Sequence, residues 1–155
     1  MPTLECPGVF SLVLPDGWQV TGVPGKRYEL TPSTSEDSLQ ISVYDRRAAP
    51  ITEAEARDLM ARFLNSLLPN EAVDMQVIVE DDTQCRAVAR CSANDRQSGE
   101  QFAWLVFLVL WKTNCLMCTC TASPDSIMIN EAELLFASIA PFDLAQRNVL
   151  RRRQN

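Results

Sequence analysis

An α+β domain, with an antiparallel β-sheet meander flanked by two main helices, is what this chain of 155 residues predicts. Three observations point there. Short runs of alternating apolar and polar residues fill Val9 to Tyr44, a long amphipathic stretch follows from Ala56 to Leu68, and strand-like runs between Met75 and Ala122 precede a second helical stretch. Apolar residues at 46% and charged residues at 22% are ordinary globular proportions, enough for one domain with its own core. Residues 1–144 are read as that domain and 145–155 as a flexible basic tail carrying Arg151, Arg152 and Arg153.

The first expected strand is Val9 to Leu14, ended by the turn Pro15-Asp16-Gly17. Tyr28 to Thr31 follows the Pro24-Gly25 turn as a second strand. Leu39 to Tyr44 is a third, with Leu39, Ile41 and Val43 on one face and Gln40, Ser42 and Tyr44 on the other. Thr52 and Glu55 form a capping box; Ala56, Leu59, Met60, Phe63, Leu64, Leu67 and Leu68 then make one helical stripe that Pro69 stops. Met75 to Glu80 and Thr83 to Cys91 are strands, the second with Cys85, Ala87 and Ala89 on one face and Arg86, Val88 and Arg90 on the other. After a polar loop, Phe102 to Ala122 carries a single charge, Lys112, and is long enough to raise the question of a membrane helix. The β-branched residues Val106, Val109, Thr113, Thr119 and Thr121 make it two buried strands and a turn instead. Ser123-Pro124 opens the closing helix, in which Met128, Ala132, Leu135, Phe136 and Ile139 line up before Pro141. Consecutive strands joined by short polar loops pair antiparallel.

The chemistry is mostly exclusions. Without histidine there is no Ser-His or Cys-His catalytic pair and no histidine metal ligand, so no enzyme activity is expected. The five glycines show no phosphate-loop spacing, and a pI near 4.6 argues against nucleic acid. Met1 to Phe10 lacks a signal-peptide pattern, which gives a cytoplasmic expectation, no membrane span and reduced cysteines. Cys115, Cys118 and Cys120 are the sharp alternative, a thiolate metal or redox site. Leu116, Met117 and the threonines around them are strand residues and not a zinc-ribbon turn, so no metal or other cofactor is expected. Glu80-Asp81-Asp82 reads as a solvated turn, Asp45-Arg46-Arg47 as a charged strand end or an anion contact, and Trp18 as a plug at one end of the core.

The hairpin offers a candidate surface. Closed through Thr113-Asn114, with Lys112 opposite Cys115, it puts Leu105, Phe107, Val109 and Trp111 on one face and Trp104, Val106, Leu108 and Leu110 on the other. Beside polar rows expected from Arg86, Arg90, Gln40 and Ser42, the strip Trp104, Val106, Leu108 and Leu110 is the candidate partner-binding patch, either a groove or a subunit interface. The plainer reading buries it beneath the carboxy-terminal helix. A three-residue turn would swap the faces and move the patch to Trp111, Val109 and Phe107.

Together, Leu14-Pro15-Asp16-Gly17-Trp18, the short Tyr28 strand, Leu39-Gln40-Ile41-Ser42-Val43, the long helix, the meander and a closing helix ending at Ser138-Ile139 make a pattern. Over residues 9 to 142 it resembles the PsbP-like fold superfamily (Mog/PsbP-like). In layout it is most similar to small bacterial type VI secretion effector chaperones. The resemblance implies an antiparallel sheet flanked by helices, in α/β/α layers, that works by binding and has no shared catalytic set. It also implies a possible homodimer sheltering apolar effector segments on a sheet surface. No family binding motif maps residue by residue onto this chain. The expected function is therefore a protein-binding module, a chaperone or adaptor for a secreted effector. The alternatives are an immunity protein that blocks a toxin, which the acidic charge also suits, and the cysteine-based metal or redox protein.

Overall fold

The computed structural model describes residues 2–33, 37–47, 50–67, 74–81, 83–94 and 98–142. Pro69, Asp82 and the basic tail lie outside the described residues. The described residues form two antiparallel sheets and two helices. The larger sheet holds seven strands in the order β3 (Gln19–Val23), β4 (Arg27–Thr31), β5 (Ser38–Asp45), β9 (Asn114–Ala122), β8 (Gln101–Trp111), β7 (Gln84–Asn94) and β6 (Asp74–Asp81). The smaller sheet orders β1 (Thr3–Cys6), β2 (Phe10–Val13) and β10 (Ala140–Pro141). Helix α1 (Glu53–Leu67) connects β5 to the far edge strand β6, and the meander β6-β7-β8-β9 then walks back to pair with β5.

Helix α1 starts where its capping box says it should: the Thr52 hydroxyl accepts the Glu55 amide at 3.2 Å. Glu53 and Glu55 in its first turn favour the positive helix end. Its inner stripe, Ala56, Met60 and Leu64, packs on Cys85, Ala87, Ala89, Val106, Leu108 and Leu110. The small side chains of β7 let the helix axis come close, and burying Met60 and Leu64 contributes about 1.5–3 kcal/mol each.

The opposite face carries the larger core. Leu105, Phe107, Val109 and Trp111 of β8, Leu116, Cys118 and Cys120 of β9, and Leu39 and Ile41 of β5 meet helix α2 (Met128–Ala137) and the smaller sheet. Phe10 of β2 stands edge-on to Tyr28 of β4, with ring centroids 5.6 Å apart. The expected layers are thus altered: one face bears α1 alone, the other bears α2 together with three short strands, and sheet dominates the architecture.

Three strands were not legible as strands. Thr3–Cys6 and Ala140–Pro141 are short and exist by pairing with β2, whereas Gln19–Val23 is wholly exposed, with a glycine interrupting its two valines. The turn Val23-Pro24-Gly25-Lys26 holds β3 against β4: Lys26 N–H donates to the Val23 carbonyl at 3.0 Å, with Pro24 second and Gly25, at φ +81°, third, as a type II turn requires.

The β8–β9 hairpin turns through Lys112-Thr113, with Leu110 opposite Cys115 and Leu108 opposite Met117, not through Thr113-Asn114. The slip is two residues, which preserves side-chain parity, so the division of faces stands as read. What covers the faces differs. The strip with Val106, Leu108 and Leu110 lies beneath α1 and not beneath the carboxy-terminal helix. Its β7 neighbours are Cys85, Ala87 and Ala89, because Arg86 and Arg90 sit opposite Val109 and Leu105 on the other face.

A candidate protein-binding groove beside helix α1

Of the four residues singled out as a partner strip, Val106, Leu108 and Leu110 are fully buried under α1, and only Trp104, at the end of β8, reaches solvent. Trp104 lines a shallow recess with Cys91, Ser92 and Ala103 and with Pro124, Ser126 and Ile129. The apolar continuation of this face lies elsewhere. Helix α1 sits over β6, β7 and β8; beside it Cys115 and Met117 of β9 are still buried in the same cluster, and the face opens towards Tyr44 of β5.

The gap is a groove of about 440 Å³. Its floor is Tyr44 of β5 with Cys115 and Met117 of β9, in register as Tyr44 opposite Cys115 and Ser42 opposite Met117. Leu59 and Phe63 of α1 form its wall. Both belong to the apolar stripe read from the sequence, but they flank the contact line of Ala56, Met60 and Leu64 and stay part-exposed. A stripe wider than one helix needs for a flat sheet was the available signal. Met117 gave none, because nothing in its local spacing shows that α1 stops short of it.

One end of the groove is fixed by Arg46. Its guanidinium donates to Glu55 Oε1 at 3.2 Å from Nε, pairs with Glu55 Oε2 through Nη2, and also donates to the carbonyls of Trp111 (3.2 Å), Lys112 (2.8 Å) and Pro50 (3.2 Å). One side chain therefore ties the end of β5 to the start of α1 and to the β8–β9 turn. This accounts for Arg46 as a clamp, and its donors are committed to this chain, so the anion contact has no support at this residue. Asp45 and Arg62 complete the rim, Arg62 pairing with Asp58 at 3.0 Å.

The cysteines do not form a site together. Cys115 points to the α1 face, Cys118 and Cys120 to the α2 face, so the three sulfurs cannot converge on one ion. Burial pushes the Cys115 thiol up to about 11, against the lowering effect of Arg46 and with a raising one from Glu55; burial likewise takes Cys120 to about 12 and raises Cys118 well above the ordinary range. At neutral pH these are thiols, not thiolates. A chromogenic thiol reagent at pH 8 is expected to label Cys91, the part-exposed one, quickly, and the five buried cysteines only on unfolding. Rapid labelling of Cys115, Cys118 or Cys120 in the native state would contradict the arrangement. The raised values also set a pH dependence. Above the usual thiol range the unfolded chain loses protons that the folded chain keeps, so stability falls between about pH 9 and 11.

Among the described residues no helix is long and apolar enough to cross a membrane, and no three Cys, Asp or Glu side chains gather as metal ligands. No family model matches the chain, and no curated protein matches it. Among solved structures it is similar to a protein of Bacteroides thetaiotaomicron VPI-5482, with a TM-score of 0.63 and 16% identity; the match covers 92% of this chain and 49% of that one. This chain thus spans about half the length of that relative, and what the two share is the fold.

Proposed function

We propose that the chain is a non-enzymatic protein-binding domain of PsbP-like fold that shelters an apolar segment of a partner in the groove beside α1. The observation that carries this is the groove itself: an apolar floor and wall held open at one end by a saturated arginine clamp. An apolar groove walled by a helix and floored by a sheet can take the apolar side chains of a partner segment. The resemblance supports a narrower reading, a cytoplasmic bacterial chaperone or adaptor for a secreted effector, working as a homodimer.

The test is co-expression with the product of a neighbouring gene, followed by co-purification and titration. Tyr44 is 50% exposed, so Tyr44→Ala is expected to change stability by no more than about 1 kcal/mol while weakening the complex about tenfold. A wild-type chain that binds no such product and leaves its aggregation unchanged overturns the reading. So does a complex that Tyr44→Ala does not weaken.

A further inference from the structure

Helix α2 buries Met128, Ile129, Ala132, Leu135 and Phe136 against the sheet. Its outward stripe is Ile127, Glu131, Leu134 and Ser138, whose spacing keeps all four within about 60° of the helix circumference. A solvent-facing stripe is normally polar. Here Leu134 is 74% and Ile127 69% exposed, the highest values for large apolar side chains among the described residues. Beside Leu134, Pro15 and Trp18 raise a second wall, making a groove of about 440 Å³ that Glu131, Leu135 and Ser138 also line. This lies across the sheet from the α1 groove.

Charge narrows the occupant. Glu131 is the charged residue lining this groove, Asp125 precedes the helix, Asp16 lies between Pro15 and Trp18, and α2 itself contains no Lys or Arg. Glu133 is already paired with Arg90. A second copy fits badly. Two-fold packing of the stripe on itself places Ile127 over Leu134 of the other copy and brings the two Glu131 carboxylates together at the axis, where like charges repel. A helix that supplies a cation there and apolar side chains two turns apart, about 10.5 Å, matches every feature of the stripe. We propose that the outer face of α2 docks an amphipathic helix of a partner protein bearing leucine-like residues seven positions apart with a lysine or arginine between them.

The probe is a synthetic amphipathic helix of about five turns with leucines at that spacing and lysine between them, titrated into the full chain by fluorescence anisotropy. The lysine peptide is expected to bind with an affinity that falls as salt rises. Leu134→Ser and Glu131→Lys should each weaken it about tenfold. A peptide with glutamate in place of lysine should bind Glu131→Lys better than wild type, and Tyr44→Ala should leave all of this unchanged, which separates this surface from the α1 groove. Equal binding of the lysine and glutamate peptides, or indifference to Leu134→Ser, overturns the proposal. Self-association of the wild type that Leu134→Ser abolishes overturns it in favour of a second copy. Tighter peptide binding after Arg151, Arg152 and Arg153 are changed to serine overturns it in favour of the chain's own carboxy-terminal segment.

Discussion

Phe136→Ala is expected to lower the free energy of unfolding by about 3–5 kcal/mol, a large share of the total for a domain of this size. The ring is fully buried between α2 and the seven-stranded sheet and tilts against Phe107, with centroids 6.1 Å apart at 47°. Its partner Phe107 lies on β8, which is held by ladders to both β7 and β9 and cannot easily collapse into the space left, so the cavity cost adds to the lost transfer energy. In a urea titration the midpoint should fall by roughly 2 M with little change in slope, using a slope of about 2 kcal/mol/M. A midpoint shift under about 0.5 M would mean that α2 is not seated as described. The same titration checks the two faces of β8. Phe107→Ala, buried between the sheet and α2, should cost more than Trp104→Ala, whose side chain is only part-buried.

The second large effect is expected at Arg86. This residue is 9% exposed in the middle of β7 and donates to the last two carbonyls of α2, Phe136 at 3.3 Å and Ala137 at 2.7 Å from Nη1, and to the Ile139 carbonyl just beyond the helix at 2.7 Å from Nη2. Helix ends leave carbonyls without helical partners, and α2 has neither a left-handed glycine cap nor a basic residue in its last turn. The guanidinium fork satisfies those carbonyls and places a positive charge at the negative end of the helix dipole. Arg86→Ala should therefore cost about 3–4 kcal/mol, by loss of charged hydrogen bonds and exposure of buried acceptors. Arg86→Lys should recover only part of it, because an ammonium cannot span three carbonyls. Hydrogen exchange is the informative measurement: amides of Leu135 to Ile139 should lose protection first. An Arg86→Ala protein as stable as wild type would show that the α2 end is satisfied another way.

Both side chains show how far the sequence could be read. Phe136 was legible because a helix repeats its inner face every three or four residues, and Met128, Ala132, Leu135 and Phe136 obey that spacing. Alternation grouped Arg86 correctly with Val88 and Arg90, but the row was expected beside Val106 and Leu108, whereas it lies opposite Val109 and Leu105 on the other face of the sheet. That Arg86 caps a helix fifty residues later was not legible, since the relation is tertiary and no local spacing encodes it. The hairpin faces came out right although the turn lies one residue earlier, because that shift slips the pairing by two and parity survives an even slip. The cover did not. Alternation says which residues share a face and is silent about which helix lies on it, so Val106, Leu108 and Leu110 read as an open strip when α1 occupies them. The groove followed the same rule in reverse: Leu59 and Phe63 were identified as apolar, but only the lateral position of α1 over β6 to β8 exposes them.

Arg46 joins three elements that are far apart in sequence, and the groove floor pairs Tyr44 of β5 with Cys115 of β9 across a gap of some seventy positions. Closing so long a loop carries an entropy cost that local contacts do not repay. The groove therefore belongs to no segment of this chain. A piece of the sequence holding α1 and the meander contains one wall and half the floor, a piece holding β3 to β5 contains the other half, and neither has a concavity to offer. Recognition at this surface is available only to the molecule that has already joined β5 to β9, which makes binding there a report on completed folding.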